Sequence, residues 1–332
     1  MKVTVLGAGS WGTTVASLLC RRDHEVLLWA RNPEVAGEVS EQHTNAAYLP
    51  SADLPARLGA TADLEHAARH AQLLVVGVPT SAFREALQQV QPYLAPWVPV
   101  VSLSKGLERG SLLRMTEVVK EVLPGRPAAA LTGPNLAREI MAGQAAASVI
   151  ATEDLTVAGA LQRVVRRGVF RVYTHHDVVG CEIGGALKNV VAIATGMAQG
   201  LGVGDNTRAA VMARGLAELT TLAVAMGGEP ATLAGLAGMG DLVATCMSPQ
   251  SRNRHVGEQL GLGRPLEEVV GEMRMVAEGV KTVSTVVELA DRYGLDMPIA
   301  RTIHDVVTGR LLAADAYRGL VRVPARHESE PG

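Results

Sequence analysis

Lys188 is the residue whose type and setting most strongly indicate chemistry. The chain has only five lysines against 26 arginines. Arginine keeps its proton near neutral pH, whereas a lysine in an apolar setting can exchange one. Lys188 lies within GGALKNVVAIATG, a predicted helix that has no other charge and is too apolar for a solvated face. We therefore predict a functional amine; the alternative is a lysine that snorkels to the helix edge.

Two further groups suit an oxygen-rich substrate. Lys105, in SLSKGLE, follows a predicted strand, and the carboxyl ends of parallel strands border the ligand crevice of such sheets. The segment SRNRH (251–255) combines cations, an amide and a hydroxyl, which favours binding of a phosphate monoester. The alternatives are a loop lysine in water and a solvated basic turn.

Asp241 offers a carboxylate between GMG and LVATC. Thr245 follows four residues later and would share its helical face. The alternative is an ordinary helix N-cap, which aspartate often provides without any further function.

A glycine loop directly follows the first predicted strand. Gly7-Ala8-Gly9-Ser10-Trp11-Gly12 matches G-x-G-x-x-G and opens a predicted helix. The first glycine of this pattern permits a tight turn, the second lets backbone approach a pyrophosphate, and the third allows close helix–strand packing. The context predicts a dinucleotide site, and the alternative is a purely structural turn.

Arg31 stands where many NAD-binding proteins carry an acidic residue after the second strand. A guanidinium could meet a 2′-phosphate or stack on adenine. We therefore predict that NADP is accepted as well as NAD. The alternative is a solvated arginine at a strand end.

The elements that must position these groups alternate in the first half of the chain. Short apolar runs predict strands at 2–7, 25–30, 72–78, 99–104, 128–132, 147–152 and 169–174, with helices at 11–22, 61–69 and 81–94 among those between them. This alternation predicts an α/β Rossmann-like, doubly wound domain with a mostly parallel sheet.

The second half changes character near residue 178. Helical patterns fill 180–199, 207–226, 230–237, 241–246, 265–271, 279–292 and 298–309. We predict an NAD(P)-binding domain at 1–178, an all-α substrate and catalytic domain at 179–325 and a polar, disordered tail at 326–332.

Composition excludes several classes of function. A chain of 332 residues with a formal net charge of −2 has no general attraction to nucleic acid or acidic membranes. No uncharged apolar run reaches the roughly 18 residues of a membrane span. The three cysteines are widely spaced and odd in number, which indicates a reducing cytoplasm, and no metal-binding pattern occurs.

Several motifs together resemble one family, the bacterial NAD(P)-dependent glycerol-3-phosphate dehydrogenases. The resemblance spans nearly the whole chain. It is carried by GAGSWGTTVA (7–16), SLSKGLE (102–108), GPNLARE (133–139), GGALKNVVAIATG (184–196), GLGVGDNTRAAVMARGLAE (200–218), GMGDLVATC (238–246), SRNR (251–254) and VAEGVKT (276–282). It implies an all-α second domain of the 6-phosphogluconate dehydrogenase C-terminal type, a homodimer and no metal.

The same resemblance implies roles for individual residues. Lys188 is the expected proton donor and acceptor, with Asp241 and Asn189 orienting it or the substrate hydroxyls. Substrate contacts are expected at Lys105, Gly133, Asn135, Lys188, Asp241, Thr245, Ser251, Arg252 and Asn253. Cofactor contacts are expected at Gly7, Gly9, Ser10, Trp11, Gly12, Arg31, Lys105, Ala137, Arg252, Val276 and Glu278. Asn135 departs from the family, which usually has Ser or Thr there, although an amide can also donate to a phosphate oxygen.

The family's reaction interconverts dihydroxyacetone phosphate and sn-glycerol 3-phosphate and supplies the glycerophospholipid backbone. The resemblance implies that Lys188 stabilises the charge on the C2 oxygen and donates its proton, while Arg252 and Asn253 clamp the phosphate. A site formed by both domains and closure between them are expected. The alternatives are a two-domain β-hydroxyacid dehydrogenase and a nucleotide-sensing protein without enzymatic activity.

Overall fold

The structure, a computed structural model, describes residues 1–20, 24–50, 52–273 and 277–316. The chain forms two units, one of Met1–Glu108 and Leu113–Val178 and the other of Arg109–Leu112 and Val179–Gly332. The tail predicted at 326–332 lies outside the described residues. The cofactor and substrate roles given to the two domains stay predictions.

The first unit is built on an eight-stranded sheet with the order β3-β2-β1-β4-β5-β6-β7-β8. Every neighbouring pair is parallel except β6 and β7, which are antiparallel. The order reverses beside β1, so the predicted doubly wound, mostly parallel sheet is confirmed. The strands are β1 (Lys2–Leu6), β2 (Glu25–Trp29), β3 (Gly59–Thr61), β4 (Leu73–Val76), β5 (Val100–Ser102), β6 (Ala128–Thr132), β7 (Ala146–Ala151) and β8 (Phe170–His175).

Helices cover both faces of this sheet, because its strands are apolar on both sides. Val75 packs in one buried cluster, whereas its neighbours Leu74 and Val76 pack in another. This alternation is the period of two that places successive side chains on opposite faces. The helices of this unit are α1 (Ser10–Cys20), α2 (Pro33–Gly37), α3 (Leu64–His70), α4 (Thr80–Val90), α5 (Met115–Val122), α6 (Ala137–Met141) and α7 (Leu155–Val165).

The prediction that a helix begins at Thr61 is wrong. Thr61 ends β3, which pairs with β2, and Asp63 instead caps α3 by accepting a hydrogen bond from the backbone N–H of His66 at 3.0 Å. Three residues are too few to show strand periodicity, so the short edge strand gave no signal of its own.

The second unit is built from helices, as predicted. They are α8 (Val178–Gly200), α9 (Asp205–Ala225), α10 (Pro230–Leu233), α11 (Asp241–Met247), α12 (Arg252–Gly261), α13 (Leu266–Gly271), α14 (Glu278–Tyr293) and α15 (Pro298–Val307). The single helix predicted at 230–237 is divided, because α10 ends at Leu233 and a π-helical turn at Leu236–Gly240 follows it. The predictions omitted α12 altogether.

Helices α8 and α12 pack backbone against backbone. A β-carbon on Gly196 would lie 2.0 Å from the carbonyl oxygen of Arg254, and one on Gly257 would lie 2.0 Å from that of Ile193. Gly200 and Gly261, one turn further along each helix, are equally confined. Only glycine allows this approach, which sets the distance between α8 and the first turn of α12.

Helix α8 has the length and hydropathy of a membrane span, and 94% of its most apolar window is buried within the protein. The segments Pro230–Met247 and Arg252–Gly261 meet the same criterion only as a bent pair. A core helix of a globular protein has this composition, and the described residues contain no clear membrane span.

Glu218 on α9 joins that helix to the start of α15. Its carboxylate accepts hydrogen bonds from the backbone N–H groups of Ile299 at 2.7 Å and Ala300 at 3.1 Å. Burial raises the pKa of Glu218 to about 7; the two N–H groups and Arg214 oppose the shift, and Asp296 adds to it. The first turn of α15 is thereby capped by a residue distant in sequence.

Replacing Gly257 by alanine tests the close packing of α8 and α12. The added methyl group would meet the backbone of Ile193, so the helices must separate, at a cost of roughly 1–3 kcal/mol in unfolding free energy. Urea denaturation measures this cost. Gly271→Ala is the matched control, because no described atom lies within 4 Å of a β-carbon there. Equal stability of the two variants would contradict the packing described.

Replacing Glu218 by glutamine tests the buried carboxylate. The folded-state pKa of about 7 exceeds the ordinary value of 4.5, so folding favours the protonated form. The associated stability is complete below pH 4.5 and declines as pH rises through about 7, by up to about 3 kcal/mol. Glu218→Gln should remove this decline. Unfolding free energies measured across that pH range would disprove the assignment if both proteins gave the same slope.

Candidate active site

The glycine loop has the shape that a dinucleotide requires. Gly7 has a φ of +107°, and a β-carbon there would lie 2.8 Å from the carbonyl carbon of Gly77. A β-carbon on Gly12 would lie 2.0 Å from the carbonyl oxygen of Gly7, whereas one on Gly9 would meet no described atom within 4 Å. The loop is therefore closed against the protein at its first and third glycines and open at the second. This arrangement, at the start of α1, fits a pyrophosphate.

Ser10 and Trp11 begin α1. The Ser10 hydroxyl donates to the carbonyl oxygen of Tyr48 at 2.6 Å, which ties the loop to the segment after α2. The Trp11 ring packs edge-on against Phe170, with ring centroids 6.1 Å apart. Its indole N–H is buried and has no hydrogen-bond partner among the residues that the structure describes. A bound ligand could satisfy this donor, as expected of a cofactor contact.

Arg31 leaves the sheet at the same edge as the glycine loop. The backbone N–H of Gly7 donates to the carbonyl oxygen of Trp29 at 3.0 Å, so the end of β2 lies beside the loop. Arg31 follows two residues later and is exposed. Its guanidinium is therefore available to a phosphate at this edge.

Lys105 and Gly133 meet at the neighbouring strand ends, after β5 and β6. The Lys105 ammonium donates to the carbonyl oxygen of Gly133 at 2.8 Å. Gly133 has a φ of +130°, and a β-carbon there would lie 3.2 Å from the carbonyl oxygen of Ala147. The segment then passes Asn135 and enters α6 at Ala137. The structure thus brings Lys105 to the segment that carries the other three predicted contact residues.

Lys188 is buried in the second unit, with only 6% of its surface exposed. Its ammonium forms an ion pair with Asp241 and a hydrogen bond of 2.7 Å with the hydroxyl of Thr245. The snorkelling alternative is therefore wrong. An ammonium buried in an apolar helix requires such a carboxylate, because the attraction between the two charges offsets the free energy of removing the ammonium from water.

The π-helical turn before α11 places Asp241. A β-carbon on Gly184, one turn before Lys188, would lie 2.6 Å from the carbonyl oxygen of Ala237 in that turn. Asp241 is the first residue of α11 rather than its N-cap, which is Gly240. Thr245 shares its helical face, as predicted, and donates to the Asp241 carbonyl oxygen at 2.6 Å. The N-cap alternative for Asp241 is wrong.

Asn189, which follows Lys188 in sequence, forms a second polar group with Asn253. The Asn253 amide donates to the side-chain oxygen of Asn189 at 2.9 Å and accepts from the backbone N–H of Gly279 at 2.9 Å. Asn253 is therefore largely engaged within the protein, with one amide hydrogen left for a substrate. A β-carbon on Gly279 would lie 2.8 Å from the Asn189 carbonyl oxygen, so this position requires glycine.

The first turn of α12 carries the predicted phosphate group. Ser251 caps the helix, its hydroxyl accepting from the backbone N–H of Arg254 at 3.2 Å. Arg252 is exposed. Crowding by protein atoms lowers the pKa of its guanidinium, and the Glu278 carboxylate acts in the opposite direction. Arginine nevertheless stays a cation near neutrality. A cation beside a helix N-terminus is suited to a phosphate dianion.

The described residues give no support to a cysteine nucleophile or a metal site. Burial raises the pKa of the Cys246 thiol to about 11, so it stays protonated near neutral pH and is a poor nucleophile. The described ranges contain no group of three or more His, Cys, Asp or Glu side chains that could hold a metal ion. Val276 lies outside the described residues.

Sequence reasoning missed two residues that the structure places next to predicted ones. Gly279 bonds to Asn253, and Ser148 donates to the Asn135 side-chain oxygen at 2.5 Å. Gly279 had a faint signal, a glycine within the VAEGVKT motif. Ser148 had none, because a serine in a buried strand looks like any small core residue.

A doubly wound sheet with an open glycine loop, followed by a helical unit with a buried lysine, defines the class of two-domain NAD(P)-dependent dehydrogenases. Comparison with protein-family models gives a more specific result. Residues 2–158 match the NAD-dependent glycerol-3-phosphate dehydrogenase N-terminus, and residues 177–318 match the C-terminus of the same family.

Full-length relatives agree with this match. Glycerol-3-phosphate dehydrogenase (NAD(P)+) 2 from Sphingopyxis alaskensis is 55% identical over 100% of this chain and 99% of its own. A relative of the same enzyme name from Mycobacterium avium is 53% identical over 98% of this chain and 96% of its own. The crystal structure of glycerol-3-phosphate dehydrogenase from Coxiella burnetii is 35% identical, with a TM-score of 0.93 over 97% of this chain and 98% of that one. The chain belongs to the NAD-dependent glycerol-3-phosphate dehydrogenase family and is an NAD(P)-dependent oxidoreductase.

Proposed function

We propose that this protein reduces dihydroxyacetone phosphate to sn-glycerol 3-phosphate, reversibly, with NADPH or NADH. The observation that carries the proposal is the buried Lys188 ammonium held by Asp241 and Thr245. The product supplies the backbone of glycerophospholipids. Family membership and the phosphate-binding character of α12 favour this substrate over an unphosphorylated β-hydroxy acid or a purely sensory role.

Residues of the first unit would hold the cofactor. The open Gly9 backbone and the start of α1 suit the pyrophosphate, and Trp11 and Arg31 offer donors beside it. When bound there, the dihydronicotinamide would supply the hydride that reduces the substrate carbonyl.

Lys188 is the proposed proton donor to the C2 oxygen. Negative charge grows on that oxygen as the carbonyl is reduced, and a preorganised ammonium in a dry site stabilises it strongly. The ammonium then donates a proton to the alkoxide. Asp241 holds the amine at a fixed place, and Thr245 restricts its direction. In the reverse reaction, the same amine accepts the hydroxyl proton.

Arg252 and the first turn of α12 are proposed to bind the phosphate. The phosphate is remote from the reacting carbon and does not change during the reaction. The energy of binding it serves to position that carbon. Because Ser251 and Asn253 are engaged in capping and in bonds to Asn189 and Gly279, we assign the main electrostatic contribution to Arg252.

We also infer a homodimer located in the cytoplasm. The cytoplasmic location is supported by the three cysteines, which are all buried and free of disulfide bonds. The dimer is supported by the family resemblance alone.

Replacing Lys188 by alanine tests the proposed activity. Turnover of dihydroxyacetone phosphate, followed by NADPH absorbance, should fall by at least about a hundredfold because the proton donor is lost. NADPH affinity, measured by fluorescence, should stay within about twofold, since Lys188 is not a proposed cofactor contact. Lys120→Ala is the control, because that half-exposed lysine pairs with an exposed Glu153. An active Lys188→Ala protein would refute the assignment, as would one that stays folded by circular dichroism but no longer binds NADPH.

Replacing Arg31 by aspartate tests the reading of the 2′-phosphate. The change removes a charge-assisted hydrogen bond and adds repulsion, so the ratio of kcat/KM for NADPH to that for NADH should fall by about tenfold or more. Steady-state kinetics with both cofactors measures the ratio. An unchanged ratio would show that Arg31 does not contact the 2′-phosphate.

A further inference from the structure

Ser148 lies in the middle of β7, entirely buried, where the Gly133 segment passes over the strand. A β-carbon on Gly133 would lie 3.2 Å from the α-carbon of Ser148. The segment that carries Gly133 and Asn135 is therefore in direct contact with β7. A side chain of β7 at this point can control how the segment is oriented.

The hydroxyl of Ser148 makes one such contact. It donates to the side-chain oxygen of Asn135 at 2.5 Å. The side-chain nitrogen of Asn135 is buried and has no hydrogen-bond partner in the described part of the chain. A buried amide nitrogen without a partner costs free energy, so its persistence calls for an explanation such as a ligand.

We propose that Ser148 is a positioning residue for substrate binding: it holds the Asn135 carboxamide so that its NH2 group donates to an oxygen of the substrate phosphate. This inference rests on the proposed function, because it concerns how that site binds its substrate. Ser148 itself would not touch the substrate.

The chemistry of the amide supports this orientation. A carboxamide rotated by half a turn would present its oxygen, which repels an anion, in place of two N–H donors. With the oxygen tied to Ser148, both hydrogens of the nitrogen lack a partner among the described residues, and a ligand that is rich in acceptors would satisfy them. A phosphate monoester is such a ligand, because its oxygens are charged acceptors and donate nothing near neutral pH.

Lys105 adds charge at the same place. Its ammonium donates to the carbonyl oxygen of Gly133, two residues before Asn135. A cation and an amide donor on adjoining loops both favour a negatively charged oxygen. The segment after β6 therefore has the donors of an anion site, and Ser148 sets the direction of one of them.

A double-mutant cycle with dihydroxyacetone phosphate tests the proposal. Asn135→Ala should lower kcat/KM by roughly tenfold or more, mainly through KM, because a bond made equally in the ground and transition states is lost. Ser148→Ala should lower it by roughly three- to tenfold, again through KM. In the Asn135→Ala background, Ser148→Ala should have no further effect. The KM for NADPH should not change in any of these variants.

Asn135→Asp provides a second test that does not depend on the folding of a Ser148 variant. The carboxylate keeps the size of the side chain and can still accept from Ser148, but it offers an oxygen to the phosphate in place of NH2. Its loss of kcat/KM should exceed that of Asn135→Ala. Ser17→Ala is the matched control and should leave the kinetics unchanged, because it removes a fully buried hydroxyl on α1 that has no partner within the described ranges.

The outcomes separate this inference from the proposed function. A wild-type protein without activity on dihydroxyacetone phosphate would contradict the proposed function. An active wild type in which the effects of Ser148→Ala and Asn135→Ala multiply independently would overturn the positioning role alone. That role is also overturned if Asn135→Asp binds the substrate as well as wild type does.

Discussion

The buried ion pair between Lys188 and Asp241 is the interaction on which the second unit depends. Removing two charges from water into a helical core costs free energy, and their mutual attraction offsets that cost. Removing either partner would leave an isolated buried charge. The surrounding structure is consistent with this demand: a glycine on α8 admits the π-helical turn, and that turn delivers Asp241 to the amine.

Glycines allow close backbone contacts in other parts of the site as well. Glycines at the α8–α12 contact and at Gly279 remove bulk where backbones must meet. The close contacts leave the first turns of α12 and α14 next to polar residues of α8, where Asn189, Asn253 and Gly279 are joined by hydrogen bonds. In the first unit, Gly7 and Gly12 perform a related task for the phosphate loop. Glycine is frequent in this chain because close contacts between backbone segments require it, as do tight turns.

Sequence reasoning predicted the fold well where periodicity is strong. Seven strands and the helical second half follow from apolar runs and their spacing, and the buried amine was predicted from its apolar setting. The errors have physical causes. Helix α12 is polar and contains Gly257 and Gly261, which lower helix propensity in isolation but are required by contact with α8. Strand β3 is too short to show a period, and its pairing with β2 is a tertiary event.

Side-chain direction was the part of the site that sequence could not provide. Motifs placed Ser251 and Asn253 at a substrate, yet their polar atoms are largely engaged in capping and in amide bonds. Ser148 is 13 residues from Asn135 in sequence and meets it only because β7 reverses direction against β6. Such contacts depend on strand pairing and register, which residue type alone does not encode.

The interlocked glycines of α8 and α12 also restrict how this architecture can diverge. A shift of either helix by one residue would bring a side chain against the backbone of the other helix. The glycines therefore fix the register of α8 against α12. Lys188 and Asn189 belong to α8, and Arg252 belongs to α12. Within the second unit, we therefore expect substrate preference to change by exchange of the side chains that these helices present rather than by a shift of one helix along the other.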